Sequence, residues 1–412
     1  MKYGLIGEKL GHSFSPEIHG MLSDYTYELK ELKRDELKYF LENEDFRGIN
    51  VTIPYKEEVI PSLYYLDSQA EEIGAVNTVI RTEGHLFGFN TDIDGMIAMI
   101  EHAGIEISGK RVAILGTGGT SKTALAVAKK LGAGSTVRVS RAKSEGTLTY
   151  DELYEKSKEI EIIINTTPVG MYPGCDKTPL DLSGFTSLSG VVDVIYNPLR
   201  TRLVSDAQKR GIPATGGLYM LVGQAARASE LFLNVKYAPD TVESVYERIL
   251  RSKENIVLVG MPSSGKTTVG RLLKDALGFS LTDTDEEIVK RCGMDIPSIF
   301  ATYGEEYFRN VEEEVIRDVS AESRQIISTG GGVILRQNNI DALKRTGKVV
   351  FLDRPLEKLI PTEDRPLALN RAAIEGLYEK RYPIYSSVCD MRIDADGTPE
   401  EISLEIIRRI KQ

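Results

Sequence analysis

The chain has 412 residues, 41% hydrophobic and 27% charged, the balance of an ordinary folded protein with room for two or three domains. Its formal net charge of −10 argues against nonspecific nucleic-acid binding and anionic membrane surfaces, so any phosphate must be met by particular Arg, Lys and backbone N–H groups. The scattered Cys175, Cys292 and Cys389 have no metal or redox spacing, no apolar run approaches the roughly 18 residues that span a bilayer, and the opening stretch reads as a strand, so the expectation is a cytoplasmic protein.

Strands are predicted over 3–6, 26–32 and 48–53, and helices over 16–25, 35–43 and 55–66, an alternation that argues for an α/β domain. Ser15 is placed to cap the first helix, with Pro16 in its first turn. Polar stretches at 10–16, 50–56, 74–78 and 88–92 interrupt the pattern at strand ends, where open α/β sheets bind ligands. They offer Ser13, Ser15, Thr52, Lys56, Asn77, Asn90 and Asp92, a set that suits a small polyhydroxylated acid, and a Lys beside an Asp can relay a proton. The plainer alternatives are that Ser15 is only a cap, Asn90 and Asp92 a turn or cap, and Lys56 a solvated helix residue.

The predicted strand 110–115 runs into Gly116-Thr117-Gly118-Gly119-Thr120-Ser121 and a helical pattern over 123–131. This is G-x-G-x-x-G with Ser121 at the third glycine, in the strand–turn–helix setting of a dinucleotide site. The next strand, 136–139, ends in Ser140-Arg141-Ala142-Lys143. An NAD enzyme would carry an acidic residue near this point, whereas basic residues suit a 2′-phosphate and hence NADP; the alternative is a solvated strand end. Strands at 160–165 and 190–195 complete a Rossmann-type sheet. Helices over 217–233 and 239–251 follow, and Ser252-Lys253-Glu254 is a very short linker.

Residues 1–250 resemble shikimate dehydrogenase. The resemblance rests on Ser13-Phe14-Ser15-Pro16, the run Asn50 to Lys56, Gly74 to Thr78 and Asn90-Thr91-Asp92. Further along it rests on Asn165 to Met171, Tyr196-Asn197-Pro198 and Gly217 to Leu221 with Gln224. It implies that Ser13, Ser15, Thr52, Asn77, Asn90 and Gln224 hold the shikimate ring, with Lys56 and Asp92 as the catalytic pair. Tyr196, Gly217 and Met220 would line the nicotinamide side, and Gly116, Gly118, Gly119, Thr120, Ser140, Arg141 and Lys143 would hold the rest of NADP(H). It also implies a substrate domain over 1–102 with 236–252 and a Rossmann-type NADP domain over 103–235. Two departures stand out. The glycine loop has Thr117 and Thr120 where alanine is more usual, and the family's Asn-Arg-Thr cluster is Ser140-Arg141-Ala142 here.

A second nucleotide signature follows. The strand 256–259 enters Gly260-Met261-Pro262-Ser263-Ser264-Gly265-Lys266-Thr267, the pattern G-x-x-x-x-G-K-[ST], with Thr268 next on the helix. Such a loop points successive N–H groups at a phosphate, with Lys266 for the outer phosphates and the Thr267 hydroxyl for Mg²⁺. Asp283 and Asp285 end the next strand on one face, so one can address Mg²⁺ and the other a substrate hydroxyl. Arg309 and Glu312 come later, then Gly330-Gly331-Gly332 at a strand end, Arg365 in the loop 361–370, and Arg381 on or after a helix. Alternatives exist for each: an ion pair from Arg309 to Glu305 or Glu312, a flexible glycine turn, and a solvated Arg365.

Together these features resemble shikimate kinase over 254–412. The resemblance implies that Asp285, Arg309, Gly331, Gly332 and Arg381 bind shikimate, with Asp285 helping to deprotonate the attacking hydroxyl. Asp283 would act with Thr267 on Mg²⁺, and Arg365 would belong to a lid over ATP. The lid is short, and Leu359 to Thr362 lacks an arginine often found there. Gluconate kinase is the nearest rival on this fold, but Gly-Gly-Gly with Gly-Glu-Glu-x-Phe-Arg favours shikimate. The expected architecture is α/β: a two-domain dehydrogenase fused to a P-loop kinase of the nucleoside-monophosphate-kinase type, acting as monomer or homodimer on 3-dehydroshikimate and shikimate. The rivals are a metabolite sensor without turnover and an NAD-linked quinate/shikimate dehydrogenase.

Overall fold

A computed structural model describes residues 1–11, 13–361 and 367–411 and divides the chain into two compact units, Met1–Leu250 and Arg251–Gln412. The first unit holds two six-stranded sheets. Its first sheet comprises β1 (Tyr3–Gly7), β2 (Tyr27–Glu31), β3 (Gly48–Val51), β4 (Tyr65–Leu66), β5 (Thr78–Thr82) and β6 (His85–Phe89), in the order β2-β1-β3-β5-β6-β4. Parallel pairing of β1 with β2 and β3 gives way to antiparallel pairing of β5 with β3 and β6. Helices α1 (Ser15–Leu22), α2 (Leu37–Asn43) and α3 (Ser68–Ile73) connect these strands, and α4 (Asp92–His102) leads out.

The second sheet is wholly parallel. Its strands are β7 (Arg111–Leu115), β8 (Ser135–Val139), β9 (Thr147–Leu148), β10 (Ile162–Asn165), β11 (Gly190–Asp193) and β12 (Ala214–Thr215), in the order β12-β11-β10-β7-β8-β9. Strands β10 and β11 are buried throughout, as their unbroken apolar character requires of a sheet covered on both faces. Helices α5 (Gly119–Lys130), α6 (Tyr150–Glu155) and α7 (Arg202–Lys209) accompany it, and α8 (Leu218–Leu233) and α9 (Pro239–Lys253) follow. The strand order reverses beside β7, so the glycine loop opens at the point where such sheets bind dinucleotides.

The second unit is one parallel sheet of β13 (Asn255–Val259), β14 (Ser280–Asp283), β15 (Gln325–Ser328), β16 (Gly347–Asp353) and β17 (Met391–Asp394), ordered β14-β15-β13-β16-β17. Helices α10 (Lys266–Leu277), α11 (Thr284–Cys292), α12 (Ile296–Ala321), α13 (Gln337–Thr346), α14 (Arg371–Val388) and α15 (Pro399–Lys411) cover it. Gly304, at φ 81°, breaks α12 into two arms. Among the described residues no helix is long and apolar enough to cross a membrane.

The structure departs from the sequence reading in two places. The expected helix over 55–66 is a set of turns around the 3₁₀ segment Ile60–Ser62, followed by β4. Pro61 interrupts it, and the buried Tyr55 and Val59 anchor the turns instead. Residues 78–89 form a hairpin whose turn, Glu83-Gly84, has positive φ at both positions, a primed two-residue turn that the sequence reading passed over. Helix α8 packs on α1 through Leu218, Val222, Ala225 and Ala226 with Ile18 and Leu22, and its Phe232 lies under Gly48 of β3. It is therefore joined to the first sheet's helices and not only to the second sheet.

His19 on α1 is fully buried, its ring stacked on that of Tyr27 with centroids 3.8 Å apart. Burial lowers its pKa from 6.5 to about 3. Between those values the unfolded chain holds a proton that the folded unit refuses. The stability contributed by keeping His19 neutral is complete above pH 6.5 and is lost as pH falls toward 3, a loss on the order of 5 kcal/mol. His19→Phe, which keeps an aromatic ring over Tyr27, is expected to flatten the decline of the first unit's melting temperature across that window. An unchanged slope in the variant would assign the acid sensitivity elsewhere.

Two candidate active sites

The first site is a cavity of about 230 Å³ between the ends of the first unit's two sheets. Ser13, Ser15, Thr52, Lys56, Asn77, Asp92, Thr120, Tyr196, Gly217, Met220 and Gln224 all line it. Lys56 and Asp92 arrive from opposite sides, the one from the turns after β3 and the other from the first turn of α4. Their Nζ and Oδ2 are 2.6 Å apart, with both side chains largely shielded from solvent. The pair is thus a preformed ammonium–carboxylate couple facing a ligand-sized space.

The remaining polar groups are oriented by their own partners. Ser15 does not cap α1; it is the helix's first residue, and the Ser13 hydroxyl accepts its N–H at 3.2 Å while donating to its hydroxyl at 3.1 Å. Asn77 Oδ1 accepts the Thr91 N–H at 2.8 Å, and because a backbone N–H can only donate, this fixes the amide and leaves its Nδ2 as the group to offer a ligand. Gln224 commits its Nε2 to Leu221 O, which presents Oε1. Asn90 does not join the lining: its amide donates to Ala75 O and its oxygen accepts the Asp92 N–H, so it shapes the turn that delivers Asp92. The sequence reading missed Asn50, which does line the cavity; it opens the same Asn50–Lys56 stretch, and its polarity at a strand end was the available signal.

Beside this cavity lies the glycine loop. Gly116 follows β7 with φ 107°, Gly118 precedes α5, and Gly119 begins it. No side chain caps α5, so its first N–H groups are available to a phosphate, a fit for a dinucleotide. Ser121 substitutes for the third glycine by turning its hydroxyl onto Gly118 O at 2.7 Å. At the end of β8, Ser140 gives its N–H to Leu148 O, and Arg141 is exposed. Lys143 is tied to both carboxylate oxygens of Glu152 at 2.6 and 2.7 Å, so its charge is already partnered on α6. Gly217 is obligatory on close approach, since a Cβ there would stand 2.0 Å from Val194 O. Next to it, Asp193 accepts from Thr201, Ile195 N–H and Asn165; burial raises its pKa to about 6, and these bonds anchor the loop carrying Tyr196.

The second unit carries two adjoining cavities. One, of about 310 Å³, is lined by Ser263, Ser264, Gly265, Lys266, Thr267, Thr268 and Asp283. Gly260 and Gly265 have positive φ, and the Lys266 ammonium folds over the loop onto Gly260 O and Met261 O at 3.0 and 2.9 Å. Ser263 donates to Ile360 O. Thr267 donates to Asp283 Oδ2 at 2.8 Å, and Ser328 reaches the same oxygen at 3.0 Å. That hydroxyl–carboxylate couple at the foot of a phosphate loop fits Mg²⁺ brought with nucleotide phosphates.

The other cavity, again about 230 Å³, is lined by Asp285, Arg309, Glu312, Gly330, Gly331, Gly332 and Arg381, with Ile296, Phe300 and Phe308 as an apolar wall. Arg309 pairs with Glu312 at 2.8 Å and Glu305 at 3.1 Å, so the ion-pair alternative is realised while the guanidinium still faces the cavity. Burial presses its pKa down, and the two carboxylates more than offset that. Arg381, lowered by burial, donates to Gly331 O at 3.0 Å. A Cβ on Gly332 would fall 2.3 Å from Arg309 Nη1, so a side chain there would displace the guanidinium from its place. Glu312 is a further residue the sequence reading named only as an ion-pair partner. Its Oε1 is buried without a partner among the described residues, and burial raises its pKa against the pull of Arg309. Arg365 lies outside the described residues.

Comparison with known proteins agrees with both halves. A model of the shikimate dehydrogenase substrate binding domain matches residues 5–79, and a shikimate kinase model matches residues 262–411. The NADP(+) shikimate dehydrogenase of Clostridium perfringens (strain SM101 / Type A) is 37% identical over 265 residues, covering 60% of this chain and 97% of the relative. Among solved structures, a chorismate mutase/shikimate 5-dehydrogenase fusion protein from Clostridium acetobutylicum is 37% identical with a TM-score of 0.57, covering 60% of this chain and 96% of its own. Shikimate 5-dehydrogenase from Thermus thermophilus, solved in complex with NADP(H) and shikimate, is 30% identical with a TM-score of 0.54, covering 60% and 99%.

Proposed function

The chain belongs to the shikimate dehydrogenase family and carries a shikimate kinase domain behind it, and on that premise we propose which residues run its two reactions. As a bifunctional shikimate-pathway enzyme it reduces 3-dehydroshikimate to shikimate with NADPH, then uses MgATP to phosphorylate the shikimate 3-hydroxyl. The Lys56–Asp92 couple, 2.6 Å apart on a cavity beside the glycine loop, is the observation that carries the reading.

In the first site NADPH supplies a hydride to the ketone carbon. Lys56 gives the proton that the ketone oxygen requires, and Asp92 holds the ammonium toward it. Ser13, Ser15, Thr52, Asn77 and Gln224 bind the ring's carboxylate and hydroxyls, with Tyr196 and Met220 packing on the nicotinamide side. Arg141 meets the 2′-phosphate. In the second site MgATP supplies the phosphoryl group. Arg309 and Arg381 bind the shikimate carboxylate, Asp285 accepts the proton of the attacking hydroxyl, and Lys266 moves to the outer phosphates. Thr267 and Asp283 would hold Mg²⁺, and Arg365 would act on ATP. The proposal divides the first unit into a substrate domain of 1–102 with the closing helix and an NADP domain from 103, and the packing of α8 on α1 argues for moving 217–235 to the former. It further takes the enzyme to be cytoplasmic and monomeric or homodimeric.

One reaction mixture tests the whole reading. With 3-dehydroshikimate, NADPH and MgATP present, loss of NADPH absorbance should be matched by shikimate 3-phosphate in the mass spectrum. Binding of both nucleotides without product would make the protein a sensor. Faster oxidation of quinate with NAD⁺ than of shikimate with NADP⁺ would make the first half a catabolic dehydrogenase.

A further inference from the structure

We propose that Tyr27 is a positioning residue for the dehydrogenase reaction, its hydroxyl holding the amides of Asn50 and Asn77 in the orientation the substrate cavity needs. The inference rests on the reading that Asn77 binds substrate. Tyr27 does not line the cavity; it stands on β2 behind it. Its hydroxyl donates to Asn50 Oδ1 at 2.7 Å. Asn50 Nδ2 donates in turn to Thr78 Oγ1 at 3.0 Å and to Asn77 O at 3.2 Å, and the Thr78 hydroxyl donates to Asn77 Oδ1 at 3.0 Å. The series runs in one direction, from a phenol to the amide that faces the ligand.

That direction is set by groups that cannot change role. The Asn77 carbonyl can only accept, which fixes Asn50 with its nitrogen inward and its oxygen toward Tyr27. The Thr91 N–H can only donate, which fixes Asn77 Oδ1. Every member is buried, with Thr78 and Thr91 at 0 and 1% exposure. Thr78, which does not line the cavity, is closed to water, so water cannot replace a missing partner there. The face-to-face stack on His19 fixes the Tyr27 ring. Burial also keeps its hydroxyl pKa well above that of a free phenol, so it remains a donor throughout the working range. Without that donor Asn50 Oδ1 keeps only the buried His19 ring beside it as a possible partner, and the amide relaxes by turning away from Asn77 and Thr78.

Tyr27→Phe tests this, because it keeps the ring and its stack and removes only the donor. The expected result is a rise of about five- to twentyfold in KM for shikimate, with kcat, the KM for NADPH and the kinase activity all within about twofold of wild type. Thr78→Val, which cuts the series in the middle, should reproduce the same split. Asn77→Ala should raise the shikimate KM by itself, and adding Tyr27→Phe to it should change nothing further. Should Asn77→Ala raise KM while Tyr27→Phe and Thr78→Val stay silent, the positioning role is wrong and the reading of Asn77 stands. Effects that multiply in the double variant, or a fall in kcat shared with the NADPH KM, would also overturn it. If Asn77→Ala leaves KM unchanged, the reading of Asn77 fails and the proposal falls with it.

Discussion

Lys56→Ala is expected to lower reduction of 3-dehydroshikimate by roughly 10³-fold while phosphorylation of added shikimate continues at the wild-type rate. The magnitude follows from what the side chain supplies. Hydride arriving at the ketone carbon leaves charge on the oxygen, and without a positioned proton donor that charge must be met by unpositioned water. Lys56 is held for the task by Asp92 at 2.6 Å, and Asp92 is itself held by the turn in which Asn90 accepts its N–H. Asp92→Asn should therefore be milder than Lys56→Ala, since the amide can still accept from the ammonium but no longer favours its charge. Each reaction checks the other. The kinase rate shows that the second unit is folded, and an unchanged melting temperature of the first unit would show that a drop confined to reduction reports chemistry. Loss of both activities from a folded Lys56→Ala protein would refute two independent sites.

What could be read from the chain followed distance along it. Strand, glycine loop and helix are consecutive at 111–130 and at 255–277, so both nucleotide sites were visible as local patterns. Lys56 and Asp92 were also identifiable as residue types at strand ends. What escaped was decided by neighbours far away in sequence. Whether Asn90 faces a ligand or a turn depends on Ala75 O, fifteen positions back. Whether Lys143 is free for a phosphate depends on Glu152, which the Thr149 capping box holds in place. The helix expected over 55–66 failed for a different reason. Its apolar spacing was real, and Tyr55 and Val59 are buried, but Pro61 has no N–H for the bond to Glu57 O that the spacing assumes. Glu312 shows a further limit. It sits three residues from Arg309, so the same spacing fits a surface ion pair and a buried one, and only the burial of its carboxylate separates them.

Lys266→Ala should produce the reverse phenotype, with phosphorylation reduced by roughly 10²- to 10³-fold and reduction of 3-dehydroshikimate intact. In the present structure the ammonium bonds to the Gly260 and Met261 carbonyls and is 7% exposed, so it also helps to hold the loop closed. Two effects are therefore mixed in the alanine variant: lost charge at the phosphates and a loosened loop. Lys266→Arg separates them. It keeps a cation that can bond the same carbonyls, but its planar fork does not match a lysine's single point of contact. If charge is what matters, arginine should recover part of the rate. If the loop's shape is what matters, nucleotide affinity should fall in the alanine variant and return with arginine, while the phosphorylation rate at saturating MgATP barely changes between them. Shikimate binding supplies a further readout: Lys266 lines the same cavity as Arg309, Arg381 and Asp285, but the bonds of Arg309 to Glu312 and of Arg381 to Gly331 are made without it. A variant that binds shikimate normally and transfers no phosphoryl group has lost the phosphate contact alone. One that binds neither ligand would instead show that Lys266 holds the second unit's site together.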